Sequence, residues 1–228
     1  MGNRALVLSV FSFVDVIFIV EPPVSGVGGM VAHEGGGHVC VSFVKGSGVE
    51  VFVLSKLAGL FDVVDHTLDG VSVSFICLGK PFIMRGVYVR PQTTREEFVG
   101  FILNWDRCDL LFGDFNARHS MWDPNAYYAH ANGRWLKRFI DDRSMVVYHA
   151  DRPTFRNTSI IDLCIARRSH PYSYDSKAGL EHSAILVRLH ADVPENAERR
   201  RPNWRMVDQE MLVVGLRALK DKTDGVRW

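Results

Sequence analysis

The sequence contains little cysteine, and the few cysteines are not arranged for cross-linking. Its four cysteines, Cys40, Cys77, Cys108 and Cys164, are far apart, form no C-x-x-C pair and lie within apolar runs. This arrangement argues against both a disulfide framework and a zinc knuckle. We therefore expect reduced core cysteines in an intracellular protein.

A long apolar run without charge is also lacking. The segment from Ala5 to Val20 contains Asp15 and is too short to span a bilayer comfortably. Glu21-Pro22-Pro23 follows it, where a signal-peptide cleavage site would need small residues. We expect neither export nor a membrane anchor, but a helix across residues 4 to 13 and a buried strand from Val16 to Val20.

The sequence has no large excess of charge of one sign. Its 27 Lys and Arg residues against 26 Asp and Glu residues give a net charge of +1, which does not indicate a polyanionic partner by itself. Local basic clusters can still hold nucleic acid, although each could equally be a solvated face. The clusters are Arg134 with Lys137 and Arg138, Arg167 with Arg168, and Arg199 to Arg201.

The length and composition predict one domain followed by a tail. With 228 residues, 47% of them hydrophobic, the chain can bury a full core within residues 1–192. Residues 193–228 begin with a polar, basic linker and contain a further helix over 207–221.

Hairpin signals predict antiparallel sheets. Val39 to Val44 and Val49 to Leu54 flank a Gly-rich turn, and Val71 to Leu78 and Phe82 to Val89 flank Gly79-Lys80-Pro81. Further strands are expected at Leu110 to Phe112, Met145 to His149, Ile160 to Ile165 and Ala184 to Leu189.

Two amphipathic helices are predicted among these strands. Thr94 and Glu97 form a capping box that begins a helix over residues 95 to 105. Trp135, Leu136, Phe139 and Ile140 mark the inward face of the second helix. Many strands with few helices predict a layered α+β fold, with two sheets face to face and helices outside.

The tetrapeptide Gly113-Asp114-Phe115-Asn116 is the most informative chemical signal. Because its glycine allows a tight turn after an apolar strand, a carboxylate and a carboxamide emerge together where the strand meets solvent. Such a place can hold a phosphate and a water molecule. The alternative is an Asx turn that closes an ordinary strand.

Five elements in a fixed order place this tetrapeptide in a wider pattern. They are Ile17 to Pro22, Gly86 to Pro91, Gly113 to Asn116, Pro153 to Phe155 with Ser159 to Asp162, and Glu181 to Ser183. Together they resemble the endonuclease/exonuclease/phosphatase superfamily, most closely the apurinic-type endonuclease domain of LINE-type (non-LTR) retrotransposons. The similarity covers roughly residues 5 to 190. It implies a four-layer α/β/β/α sandwich of two mostly antiparallel sheets.

Two more segments resemble the retrotransposon branch in particular. His119 and Trp122-Asp123 follow the tetrapeptide closely. Arg201 to Arg205 is similar to the segment that joins this domain to a reverse transcriptase. The resemblance therefore implies DNA and the reverse transcriptase domain of a parent polyprotein as partners, with no membrane.

The resemblance also implies a metal site. Mg²⁺, with Mn²⁺ as an alternative, needs one or two carboxylates and a phosphate oxygen. Glu21, which leaves a buried strand, is the best first ligand, and Glu181 is the second metal residue. Glu34 lies between His33 and His38, but these histidines are five apart across three glycines, so we expect a loop there and not a helical zinc site.

Roles for the other site residues follow from the resemblance. Asp114 orients or deprotonates the attacking water, and Asn116 contacts the phosphate oxygens. His182 stabilises the charge that builds on the phosphate, while Asp162 fixes its ring orientation. Tyr88 and Thr154 add hydrogen bonds to the phosphate, although either could instead be a packed strand residue.

The sequence departs from the family pattern in two places. Members usually open with a strand that bears an asparagine near the metal, whereas only 20 residues precede Glu21 here, so we expect the first strand to be missing. The usual Ser-Asp-His is Leu180-Glu181-His182. The added methylene displaces a carboxylate by roughly 1.5 Å, which puts activity in question.

The expected function is a Mg²⁺-dependent DNA endonuclease that nicks one strand and leaves a 3′-hydroxyl for target-primed reverse transcription, in the nucleus. One alternative is a phosphatase or phosphodiesterase of the same superfamily that acts on a lipid or small phosphate. Another is a decayed, inactive nucleic-acid-binding remnant.

Overall fold

A computed structural model describes residues 15–20, 38–42, 48–77, 79–148, 152–167, 172–177, 182 and 184–189. The chain divides into two compact units, residues 1–195 and 196–228, and all described residues belong to the first. Four predictions lie outside the described residues and stay predictions: the boundary after residue 192, the helix over 207–221, the helix across 4–13 and the missing first strand.

The smaller sheet is antiparallel and has the order β1-β3-β2, with β1 at Val16–Val20, β2 at His38–Ser42 and β3 at Val49–Leu54. In β3, Val49, Val51 and Val53 alternate with Glu50 and Phe52. Because side chains alternate across a strand, the three valines share one face and pack on the larger sheet. The predicted strand at residues 16–20 and the first predicted hairpin are confirmed.

The larger sheet has six strands in the order β4-β5-β6-β7-β9-β8. Neighbouring strands are antiparallel except β6 and β7, which run parallel because a helix connects them. A separate antiparallel pair, β10 and β11, follows. The bounds are β4 Asp62–Thr67, β5 Gly70–Cys77, β6 Lys80–Tyr88, β7 Leu110–Asp114, β8 Met145–Tyr148, β9 Asp162–Arg167, β10 Tyr172–Lys177 and β11 Ala184–Leu189.

Two helices, α1 (Arg95–Trp105) and α2 (Ala131–Asp142), cover one face of the larger sheet. The predicted capping box begins α1: Thr94 accepts from the Glu97 amide, and the Glu97 carboxylate accepts from the Thr94 amide. Trp105, the last residue of α1, is fully buried, and its ring packs against that of Phe139 on α2. Both predicted helices are confirmed.

The other face of the larger sheet packs against the smaller sheet. The ring of Phe18 on β1 meets that of Phe112 on β7 edge-on, with centroids 4.4 Å apart. Valine side chains of β3 and β5 complete this inner core. The predicted α+β sandwich is confirmed, and in the part of the chain that is described its helical layer lies on the larger sheet.

Some elements differ from the sequence prediction. The second hairpin is tighter than expected, because Cys77 pairs with Lys80 and Pro81 already belongs to β6. Strand β4 was not predicted, since its sequence Asp-Val-Val-Asp-His-Thr lacks apolar alternation and it lies at a sheet edge. A 3-10 helix at Ser55–Leu60 and strand β10 were also missed.

The described cysteines are free thiols, and Cys77, Cys108 and Cys164 are buried as expected. Burial raises the pKa of Cys108 to about 11 and also raises the pKa of Cys164. Among the described helices, none is long and apolar enough to cross a bilayer.

Candidate active site

Three predicted site residues lie in one row across the larger sheet. Tyr88 on β6 is opposite Asp114 on β7, and Asp114 is opposite Asp162 on β9. Residues directly opposite one another in a sheet point to the same face, so this row opens towards the smaller sheet. The sheet register thus brings together residues that are up to 74 positions apart in sequence (162 − 88).

Gly113 allows Asp114 to occupy this position. Its φ of +140° is unfavourable for other residues, and a Cβ there would lie 2.1 Å from the carbonyl oxygen of Val87. The backbone that follows is tied on both sides: Val89 donates to the Asp114 carbonyl at 2.8 Å, and Phe115 donates to that of Ile161 at 3.1 Å. Asp114 is therefore fixed at the end of its strand.

Asp114 and Asn116 form one hydrogen-bonded unit. The Asn116 backbone amide donates to Asp114 Oδ1 at 2.7 Å, and its Nδ2 donates to Asp114 Oδ2 at 2.9 Å. Nδ2 also donates to the carbonyl of Val89 at 3.0 Å. Both acceptors of the side-chain amide are oxygens, so the NH2 group of Asn116, and not its carbonyl oxygen, must face them. The turn has the Asx geometry of the sequence alternative, with Asn116 at φ +43°.

His182 is held by Asp162 and Phe155. Its Nδ1 lies 3.1 Å from both carboxylate oxygens of Asp162. The Phe155 ring lies 4.7 Å from the imidazole, and the two residues form an isolated β-bridge. A carboxylate that accepts from Nδ1 leaves Nε2 as the nitrogen that can act on a ligand.

Thr154 holds the turn that precedes Asp162. Its hydroxyl accepts hydrogen bonds from the amides of Ile161 at 3.2 Å and Asp162 at 3.1 Å. The residue is 1% exposed. This placement gives Thr154 a supporting function, while its predicted contact with a phosphate stays a prediction.

The described residues include a group that could hold a metal ion: Asp114, Asp162 and His182, whose ligand atoms all lie within 4.8 Å of one another. Both carboxylates are buried, at 3% and 7% exposure. Two neighbouring buried carboxylates repel each other, and a divalent cation with a preference for oxygen ligands would relieve this repulsion. The donor set therefore fits Mg²⁺ or Mn²⁺.

The predicted metal residues Glu21 and Glu181 lie outside the described residues, so their roles stay predictions. The described part of β1 ends at Val20, which pairs with Val49. Gly48 directly precedes Val49, and a Cβ added to Gly48 would lie 2.4 Å from the ring of Tyr88. The carboxyl end of β1 therefore reaches the edge of the sandwich where Asp114 lies.

Asn132 also belongs to this site, although no motif in the sequence marks it. It lies in the first turn of α2 and is 3% exposed. Its Nδ2 donates to the carbonyls of Arg90 at 3.2 Å and Asn116 at 3.4 Å. The sequence did carry a signal for Asn132: it is a polar residue at helical spacing from Leu136 and Phe139, which places it on the inward face of α2.

The basic clusters do not form a free cationic patch in the described part of the chain. On α2, Lys137 pairs with Asp141 and Arg138 with Asp142. Arg167 donates to backbone carbonyls of the loop after α1. Arg168 and Arg199 to Arg201 lie outside the described residues.

Part of this chain is similar to a known family. Residues 82–185 match the family described as endonuclease-reverse transcriptase. The family resemblance predicted from the sequence is confirmed. The matched segment contains Tyr88, Asp114, Asn116, Asp162 and His182, which are the predicted site residues that the structure brings together.

A similar solved structure is the "Endonuclease domain of TRAS1, a telomere-specific non-LTR retrotransposon", with a TM-score of 0.59 and 16% identity over 80% of this chain and 88% of that one. It shows a shared fold. A Cimex nitrophorin (TM-score 0.43, 15% identity, 67% and 74% covered) and the Haemophilus ducreyi cytolethal distending toxin (0.39, 10%, 67% and 66%) match more weakly. No curated protein matches the sequence closely.

Proposed function

We propose that this chain is a Mg²⁺-dependent endonuclease that nicks one DNA strand and leaves a 3′-hydroxyl. The convergence of the Asp114–Asn116 unit and the Asp162–His182 pair at one edge of the sandwich carries the proposal. The family match over residues 82–185 favours a nucleic-acid substrate over a lipid or small phosphate.

Asp114 orients the attacking water and takes its proton. Two N–H groups of Asn116 bind the carboxylate and hold it in one orientation. A fixed acceptor beside the reacting phosphate lowers the entropic cost of attack. The water oxygen bonds to phosphorus, the bond from phosphorus to the 3′ oxygen breaks, and the 3′ oxygen takes up a proton from solvent.

His182 stabilises the negative charge that develops on the phosphate. Asp162 and Phe155 hold its ring in place before the reaction, so little reorganisation accompanies the chemical step. Asn116 donates both Nδ2 hydrogens to Asp114 and to the Val89 carbonyl, so its predicted contact with a phosphate oxygen would require one of these bonds to be exchanged for it. Tyr88, in the same row as Asp114, would add a hydrogen bond to the substrate.

Glu21, Glu181 and a carboxylate oxygen of Asp162 would hold the metal, while Asp114 accepts the proton of the water. When bound, Mg²⁺ neutralises charge on the phosphate and stabilises the developing oxyanion. In the parent element, the 3′-hydroxyl would prime reverse transcription by a linked reverse transcriptase. This use requires chromosomal DNA, so we propose that the protein acts in the nucleus.

A supercoiled-plasmid nicking assay tests the proposal. Wild-type protein should convert supercoiled plasmid to open circles with Mg²⁺ and not with EDTA. Asp114→Ala and His182→Ala should each reduce the rate by about 10² to 10³-fold. Asp142→Asn, on the exposed face of α2, is the matched control and should stay within about 2-fold.

The product ends identify the bond that breaks. A DNA polymerase should extend the nick without prior phosphatase treatment, because the new end carries a 3′-hydroxyl. Equal nicking in EDTA would refute the role of the metal. Salt-sensitive DNA binding without nicking at any Mg²⁺ concentration would instead identify an inactive nucleic-acid-binding remnant.

A further inference from the structure

A loop beside the site displays two exposed tyrosines. The loop runs from Ala117 to His130, between Asn116 and α2. Tyr127 is 92% exposed and Tyr128 is 86% exposed. Aromatic rings are usually buried because removing them from water is favourable. Two adjacent exposed rings therefore indicate a surface that contacts a partner.

The loop that displays these tyrosines is anchored by buried side chains. The Trp122 indole is fully buried and donates to the carbonyl of Ala117 at 2.9 Å. Asp123, also fully buried, accepts from Arg118 at 3.0 Å and from the Asn125 amide at 3.1 Å. A surface that is held in place before binding loses little conformational entropy when it docks.

Both ends of the loop are attached to the candidate active site. The loop begins directly after Asn116, and His130 donates to the Arg118 carbonyl at 3.2 Å, which closes the loop. Two residues later, Asn132 donates to the Asn116 carbonyl. The exposed tyrosines therefore belong to a segment whose base is formed by site residues.

The loop presents no unpaired acidic side chain. Its charged residues, Arg118 and Asp123, pair with each other, and Arg134 in the first turn of α2 adds one positive charge beside the loop. Asp123 is buried against Arg118, whereas Arg134 is exposed at the start of α2, where no acidic residue lies in the first turn. The loop therefore offers two aromatic rings and no unpaired carboxylate to a partner with flat aromatic groups and an anionic backbone, as a nucleic-acid strand has.

We propose that Tyr127 and Tyr128 form a docking surface on which unpaired bases of the DNA strand next to the scissile phosphate stack. This inference rests on the proposed function and specifies its substrate. Bases inside a duplex are already stacked on their neighbours, so the tyrosines favour DNA that is locally unpaired beside the nick site.

Binding measurements in EDTA test this surface without cleavage. Fluorescence anisotropy would compare a fully paired duplex with the same duplex carrying three unpaired thymidines. One base stacked on an aromatic side chain contributes a factor of roughly 5 to 150 in affinity. The double variant Tyr127→Ala/Tyr128→Ala should therefore bind the unpaired DNA at least about 10-fold more weakly and the fully paired duplex within about 2-fold of wild type.

Two matched variants show whether stacking is responsible. Tyr127→Phe/Tyr128→Phe keeps both rings and should bind within about 2-fold of wild type. Leu103→Ala removes a side chain of comparable exposure, 67%, from α1 and should also have no effect. The exposed positions of these residues make a loss of folding an implausible cause of weaker binding, and circular dichroism checks this.

The outcomes separate this inference from the proposed function. If wild-type protein nicks plasmid with Mg²⁺ but the double alanine variant binds unpaired DNA as well as wild type does, the tyrosine surface is refuted and the nuclease proposal stands. An equal loss for paired and unpaired DNA would also refute stacking. Wild-type protein that neither binds nor nicks DNA would overturn both proposals.

Discussion

Asp114 and Asp162 lie directly opposite each other on β7 and β9, with both carboxylates buried. Their oxygens and a ring nitrogen of His182 lie within 4.8 Å of one another. Asn116 binds the first carboxylate and His182 the second. The sheet register thus places two carboxylates close together. Their negative charges repel each other, and a bound cation would reduce this repulsion.

A divalent cation is therefore expected to stabilise the folded protein. Mg²⁺ or Mn²⁺ at about 100 times the dissociation constant would add about 2.7 kcal/mol and raise the melting temperature. The increase should be lost in the double variant Asp114→Asn/Asp162→Asn, which can be measured by differential scanning fluorimetry. An equal increase in wild type and variant would place the cation elsewhere.

Gly113→Ala is expected to destabilise the protein by about 3 kcal/mol or more, because the new Cβ would clash with the Val87 carbonyl at a backbone angle that alanine disfavours. Gly100→Ala is the matched control. It lies on the exposed face of α1 with no atom near its Cβ, so it should stabilise by about 0.5–1 kcal/mol. Urea denaturation measures the free energy of unfolding of both variants. A similar loss of stability in the two variants would contradict the clash at Gly113.

Asn132 is expected to position Asn116. Asn132→Ala removes the donor to two backbone carbonyls and should cost about 1–3 kcal/mol. Asn132→Asp should be worse than alanine, since a carboxylate oxygen would face those carbonyls. Both variants should lower the rate of nicking more than the affinity for DNA. If aspartate is tolerated as well as asparagine, the two hydrogen bonds are not important.

A buried cluster of ion pairs links β4, β6 and the turn after β4 to α1. The Arg85 guanidinium, which is fully buried, binds Asp65 and Asp69, and Asp69 also accepts from the Trp105 indole at 3.0 Å. Asp69→Ala should cost about 3–5 kcal/mol, because it weakens the pairing of a buried charge. Replacing both partners, in Arg85→Met/Asp69→Ala, should recover part of that loss. A larger loss in the double variant by urea denaturation would refute this account.

The His119 imidazole is expected to have a pKa below that of a free histidine. Burial, together with the nearby charge of Lys137, lowers its pKa below the ordinary value of 6.5, and its Nδ1 accepts from the Met121 amide. The unfolded chain therefore binds the proton first. The contribution of His119 to stability should be complete above pH 6.5 and decrease as the pH falls towards the folded pKa.

NMR titration of the His119 ring measures this pKa directly. His119→Gln should reduce the decline in melting temperature between about pH 8 and pH 5. A midpoint at or above that of a free histidine would contradict the prediction.

Much of the fold was predictable because its signals are local. The capping box at Thr94 and Glu97 and the spacing of Phe98 and Trp105 depend on residues within one or two helical turns. Strand β4 was missed because its side chains are mostly exposed and follow no apolar pattern. Pro81 suggested a loop, yet pairing with Ile76 holds it in a strand.

The site was only partly predictable. The motifs around Asp114 and His182 were readable because their residue types are unusual together, but Asn132 was missed because its contact with Asn116 bridges a loop of 15 residues (132 − 116 − 1). The basic residues of α2 also had to be placed before their pairing with Asp141 and Asp142 was visible.

The sequence by itself determined where strands and helices form and which residue types are available for phosphate chemistry, because periodicity, caps and turns depend on neighbours along the chain. Only the tertiary structure decided that Asp114, Asp162 and His182 meet and that Tyr127 and Tyr128 stay in solvent. Sheet register and packing between distant segments set those distances, and neither is encoded within any short stretch of the chain.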